Sequence, residues 1–211
     1  SLYDLGDYDY NGENHPISGF TASTLGSETN PYLISSVSDW ATVVNYASQS
    51  KYFRLMSDIT MGTTTINEFA GVLDGNGHSI TVQQPLINTL AEGGKVVNLT
   101  IRGQITSSST GNIGALVNIN KGIVEHCTNY ASVTVSNRTS NDGVGGLIGK
   151  CSRALLVSDC DNFGAITISD CSGACLVGGV GGSLVNAYNC SNYGTISGGN
   201  CTGTISIGGV A

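Results

Sequence analysis

Three heptapeptides limit what this chain can fold into. They are Cys127-Thr128-Asn129-Tyr130-Ala131-Ser132-Val133, Cys160-Asp161-Asn162-Phe163-Gly164-Ala165-Ile166 and Cys190-Ser191-Asn192-Tyr193-Gly194-Thr195-Ile196, set 33 and 30 residues apart. Self-similarity at such a period marks a solenoid or array, in which each repeat buries its apolar face only against its neighbours. A second anchor precedes each heptapeptide. It is aligned on Gly114, Gly146, Gly179 and Gly209, at spacings of 32, 33 and 30.

Between anchors the chain runs in short apolar stretches, such as Gly146-Leu147-Ile148-Gly149, Ala154-Leu155-Leu156-Val157 and Ala165-Ile166-Thr167-Ile168. Each is of strand length and too short for a helix. The expected fold is therefore all-β: a parallel β-helix with three short strands per rung of about 30 residues. Rungs then lie about 4.8 Å apart and equivalent residues stack in rows. Cys127, Cys160 and Cys190 form one row, and Asn129, Asn162 and Asn192 a second. Tyr130, Phe163 and Tyr193 form a third, with Arg102 aligned to it, and Val133, Ile166 and Ile196 a core row. Asn at a bend bonds nearby backbone, and stacked rings gain offset contact, so packing alone accounts for these rows.

These repeats resemble the GLUG-motif repeats of bacterial secreted and surface proteins, whose Gly-Leu-any-Gly core Gly146-Leu147-Ile148-Gly149 matches. Upstream, Asn30-Pro31-Tyr32-Leu33-Ile34, Tyr52 to Thr60 and Phe69 to His78 look like the entry region of such repeats, so the likeness spans roughly residues 26 to 211. Gly114-Ala115-Leu116-Val117 lacks the closing glycine, and Gly179-Val180-Gly181-Gly182 lacks the leucine. The resemblance implies a right-handed β-helix of pectate-lyase-like shape, and it implies no reaction.

Composition bounds the partners. With 211 residues, 40% hydrophobic, the chain can bury a sizeable core as one domain. A net charge of −7 and charged residues at only 11% disfavour nucleic acid and anionic membranes. No apolar run approaches a membrane span. Residues 1–30 are polar and aromatic without periodicity and read as an extension or linker, leaving 31–211 as a single β-helix domain. The period restarts at Ile207-Gly208-Gly209-Val210-Ala211, which reads as a parent chain that continues or an end covered by another chain.

Helical spacing occurs once, at Val37, Trp40, Ala41, Val44 and Ala47, behind a Ser36-to-Asp39 capping box. This predicts a helix near 37–48 lying across the first rung, where it would cover an open sheet end. Asp74-Gly75-Asn76-Gly77-His78 reads as a tight turn between strands.

Of the seven cysteines, Cys160 and Cys190 take a slot filled by Leu99 in the preceding segment, so free buried thiols are expected. Cys171 and Cys201 are also equivalent, and neighbouring rungs would permit a bridge between them. No Cys-x-x-Cys pair supports zinc; Cys171 to Cys175 is the closest spacing. Asp7, Asp9 and Asn11 match the opening of a calcium loop, but its twelfth position is Ser18 rather than Glu. A solvated acidic turn is the favoured reading, and no cofactor is expected.

Residues flanking the inward cysteines should face outward. That places Asn98, His126, Asp159 and Asn189 in one row and Thr100, Thr128, Asp161 and Ser191 in the next. His126, Asp159 and Asp161 are then the best acid/base constellation in the chain. No Lys or Arg joins these rows, so a solvated surface is preferred to catalysis. Four Asn-x-Ser/Thr matches, at Asn98, Asn137, Asn189 and Asn200, are given no role. The reading that results is a non-catalytic β-helix module of a secreted or cell-surface protein, serving adhesion to an extracellular glycan or to a host or matrix protein. The alternatives are a carbohydrate-active lyase or hydrolase, and a structural stalk that associates end to end.

Overall fold

The computed structural model describes residues 24–152 and 156–211 and is a parallel β-solenoid with one short helix. Its strands are held in parallel sheets whose neighbours lie one coil apart in the chain, not in hairpins. The heptapeptides stack in register. Asn129 pairs with Asn162 and Asn162 with Asn192, while Ile105, Val133, Ile166 and Ile196 form one continuous row. Val133 and Ile166 are buried, and each such side chain contributes roughly 1.5–3 kcal/mol.

Coil length changes along the axis. Tyr52 pairs with Val72, Ile59 with Ile80 and Ile66 with Ile87, so the N-terminal coils advance by only 20 to 21 residues and hold three strands each. The step from Val72 to Lys95 is 23 residues, and later coils advance by 28 to 33. The added length forms a further sheet of Ile113–Gly114, Asp142–Gly145, Cys175–Gly178 and Ile205–Gly208. It also separates pieces such as Asp161–Asn162 and Ile166–Ser169, giving five short strands in the fullest coils where the repeat pattern suggested three.

The first glycine anchor needs a one-residue correction. Gly114 pairs with Gly145, and Ala115 is the residue that donates to Gly146 O, with Gly146 in turn donating to Gly179 O. Alignment on glycine alone chose the wrong member of the pair, because Ala115 fills the slot that Gly146 and Gly179 occupy later.

The helix is shorter than its periodicity suggested, covering Trp40–Asn45 (α1) rather than 37–48. The capping box does form: Ser36 Oγ accepts from Asp39 N at 3.3 Å, and the Asp39 carboxylate accepts from Ser36 N at 3.0 Å. The turns from Ser36 to Ala41 are closed by bonds to the third preceding carbonyl, tighter than α. This winding rotates the stripe. Trp40, Val43 and Ala47 enter the core, whereas Val37 and Val44 are exposed. Tyr32 stacks between Tyr46 and Phe53 at 5.2 and 5.5 Å, tying the helix end to the first strands. The segment Asp74 to His78 is a corner between Val72–Asp74 and Ser79–Val82, which belong to different sheets.

Candidate functional site

The row containing His126 and Asp159 is set by backbone geometry. Asn98, His126, Asp159 and Asn189 have φ of 55°, 50°, 52° and 50°, the left-handed region. Among residues other than glycine, Asn, Asp and His are the types enriched there, because a short polar side chain eases the clash that Cβ makes with the carbonyl. A second corner repeats the choice with Asn137, Asp170 and Asn200 at 57°, 55° and 56°. One backbone turn per coil thus collects ionisable side chains on the outside.

The structure brings His126 and Asp159 together, with Nε2 and Oδ2 3.8 Å apart, beyond a good hydrogen bond. Asn189 Nδ2 donates to the other Asp159 oxygen at 2.5 Å. The His126 side chain is 59% exposed and that of Asp159 33%, so this is a solvent-screened pair worth little in stability. Asp161 lies in the adjoining row, in register between Thr128 and Ser191, and is half-buried. Among the described residues no group of three or more His, Cys, Asp or Glu converges in a way that could hold a metal. Asp7, Asp9, Asn11, His15 and Arg153 lie outside the described residues.

Beside that row runs an aromatic ladder. Tyr130 stacks on Phe163 at 4.9 Å and Phe163 on Tyr193 at 4.7 Å, with interplanar angles of 10° and 13°. The Arg102 guanidinium sits 4.8 Å from the Tyr130 ring centroid, closing the ladder with a cation–π contact. All three rings are exposed. Arg102 shares the strand Thr100–Ser107 with Thr106, which starts a row through Thr134, Thr167 and Ser197. In Ser132–Ser136 the hydroxyl-bearing residues alternate with buried valines, so the hydroxyls line the outer wall. Rings, a guanidinium and hydroxyls therefore occupy one continuous surface.

Other polar groupings were not visible in the sequence. Arg54 Nε contacts Asp74 Oδ2 at 3.0 Å and Lys95 Nζ contacts Glu125 Oε2 at 2.6 Å, beside a cleft of about 290 Å³ that Tyr52 also lines. Their partners lie 20 and 30 residues away in the chain, and the parallel pairing of Tyr52–Leu55, Val72–Asp74, Lys95–Val97 and Ile123–Glu125 in one sheet brings them together. Arg138 is fully buried, and its Nη1 and Nη2 donate to Ser109 O and Gly111 O of the preceding coil. Asp142 accepts from Gly111 N at 2.8 Å. Partial burial pushes its carboxyl up, but hydrogen bonds from Ser140 and Gly111 and the charges of Arg138 and Lys150 reverse this and leave it below its ordinary value. The cysteines are all free. The Cys160 thiol is held well above the ordinary range by the thiol of Cys127 and by burial. Cys190 is raised in the same way by Cys160 and burial.

No protein-family model matches the chain. It is 41% identical over 95 residues, 40% of its length, to halomucin of Haloquadratum walsbyi, of which the match spans 1%. It is 26% identical over 125 residues, 48% of its length, to a protein of Evansella cellulosilytica provisionally named a Gly-rich membrane protein, of which the match spans 14%. Among solved structures, one from Bacteroides ovatus, provisionally assigned as an immunoglobulin A1 protease, superposes with a TM-score of 0.55 at 16% identity, over 88% of this chain and 85% of that one. At that identity the likeness is one of fold: this chain is a parallel β-solenoid, and no helix among its described residues is long and apolar enough to cross a membrane.

Proposed function

We propose that this chain is a non-catalytic binding module of a secreted or cell-surface protein, and that its outer wall of stacked rings and hydroxyls contacts an extracellular glycan. The observation that carries this is the exposed row of Arg102, Tyr130, Phe163 and Tyr193 beside Thr106, Thr134, Thr167 and Ser197. Ring edges and hydroxyls along a rigid wall suit a long polar polymer better than a small ligand, which needs a concave pocket. The names of the partial relatives, a mucin-like name and a membrane protein, support a surface location. The likeness of Gly146 to Gly149 to the GLUG core supports the same reading.

The polysaccharide lyase or hydrolase reading rests on His126, Asp159 and Asp161. It is the weaker of the two, since the left-handed corner already accounts for His126 and Asp159. Glycan arrays probed with the wild-type chain and with Phe163→Ala test the proposal. Retained glycans that are lost on Phe163→Ala support it, whereas shortened products from acidic or neutral polysaccharides would establish the enzyme instead. Binding only to matrix proteins would replace the glycan with a protein partner. A calcium ion at Asp7, Asp9 and Asn11 is a separate proposal, checked by melting with and without chelator.

A further inference from the structure

One cation on the outer wall lacks a counter-charge. Arg54 pairs with Asp74, Lys95 with Glu125, and Arg138 is buried against two backbone carbonyls. Arg102 is exposed, and among the described residues no carboxylate pairs with it. Its guanidinium, a planar fork of N–H donors, lies over the Tyr130 ring. The neighbouring row carries Asp161, in register with Thr128 and Thr100, and Asp58, which precedes Ile59. Each stands two coils from Arg102, about 10 Å at the spacing of parallel strands and roughly one screening length in ordinary salt. Asp58 is in any case taken up by Ser79 N and His78.

Beside Arg102 the wall is dished. Strand alternation would turn Gly103 inward, yet Arg102, Gly103 and Gln104 are exposed in succession between buried Ile101 and Ile105. Gly103 has a φ of 109°, and a Cβ there would stand 2.1 Å from Val82 O, so bare backbone floors the dish. The hollow holds about 490 Å³ and is lined by Thr81, Val82, Gln83, Gly103, Gln104 and Thr106. Thr81 is the register partner of Arg102, which puts the guanidinium at the rim. Thr106 begins the hydroxyl row, so the hollow opens at the foot of the wall of rings and hydroxyls. Its two hydroxyls and two amides are uncharged donors and acceptors suited to sugar hydroxyls, and the rim adds one positive charge.

We propose that this hollow is the end subsite of the wall and takes a sugar bearing a carboxylate, a uronic acid residue whose two oxygens are held by the Arg102 fork. The inference rests on the glycan reading and names the class of glycan. Isothermal titration with an oligogalacturonate, its methyl ester and a sulfated neutral oligomer of equal length tests it. The uronate should bind roughly tenfold more tightly than the ester, the gain of about one hydrogen bond to a charged group, and added salt should narrow the gap. Arg102→Gln should bring the ratio to within about twofold. Arg102→Lys, which keeps the charge without the fork, should restore part of it. Gln104→Ala should weaken uronate and ester alike.

An acid preference that survives Arg102→Gln would overturn the proposal, as would tighter binding of the sulfated oligomer than of the uronate. Equal affinity for uronate and ester, both lowered by Phe163→Ala, would overturn it and leave the glycan wall standing. A chain that binds none of the three and retains nothing on the glycan array would overturn both.

Discussion

Gly146 lies against the side chain of Asn162: a Cβ placed on it would stand 2.2 Å from Asn162 Oδ1 and 2.5 Å from Gly179 O. Gly179 has the same relation to Asn192, whose Cγ would lie 2.1 Å away. The two recurring features of the sequence, the glycine anchor and the asparagine row, are thus halves of one packing arrangement across the coil.

Gly146→Ala should therefore destabilise the fold by about 1–3 kcal/mol through overpacking. For a chain of this size that corresponds to a loss of roughly 2–4 °C in melting temperature per kcal/mol. Thermal melts with circular dichroism at neutral pH measure it. A melt within 1 °C of the parent, about a quarter to a half of a kcal/mol, would remove the steric account.

Asp159 separates a backbone role from a chemical one. Asp159→Asn keeps a side chain suited to a positive φ and should change stability by less than about 0.5 kcal/mol. Asp159→Val places a β-branched residue at a φ of 52° and should cost roughly 1–2 kcal/mol. Denaturant unfolding of the two variants checks the contrast. Equal effects would show that the carboxylate itself matters.

Alkaline conditions should weaken the fold through the thiol row. Cys160 and Cys190 are raised above an ordinary value of 9.0, so the folded state keeps protons that the unfolded chain releases. Their contribution is complete below pH 9 and declines as pH climbs beyond it. Melting temperatures between pH 7 and 11 should show that decline, and Cys160→Val should flatten it. A fold whose alkaline loss is the same in the variant would owe that loss to other groups.

At the acid side Asp142 has the opposite sign. Its folded value is lowered from 3.8, so its stabilising effect is present above that pH and is lost as pH falls below it. Asp142→Asn should lower the melting temperature at pH 7 and leave a shallower fall between pH 4 and 2.

Arg138 holds two carbonyls of the preceding coil from a fully buried position. Arg138→Ala removes both bonds and leaves a cavity where a fully buried side chain stood, which should cost about 2–5 kcal/mol, the range for emptying a large buried site. Urea unfolding measures it.

What could be read from the sequence followed from side-chain type at a fixed spacing. The rows of Asn162, Phe163 and Ile166 fall where their 33- and 30-residue offsets put them, because stacking demands like above like. The 20-residue coils escaped notice, since Tyr52 and Val72 share only apolar character. The backbone role of Asp159 went unread for a related reason: a φ of 52° leaves no trace in one letter, whereas a carboxylate beside a histidine is visible at once. Arg138 was hidden because burial of a long cation depends on carbonyls 27 and 29 residues earlier, in a loop with no repeat.

The change from 20-residue to 30-residue coils gives the molecule a narrow nose and a broad base. The extra sheet of the wider coils begins at Ile113–Gly114, which has a strand partner only on the side of Asp142–Gly145. The step in girth therefore leaves a ledge with one bare strand edge partway along the flank.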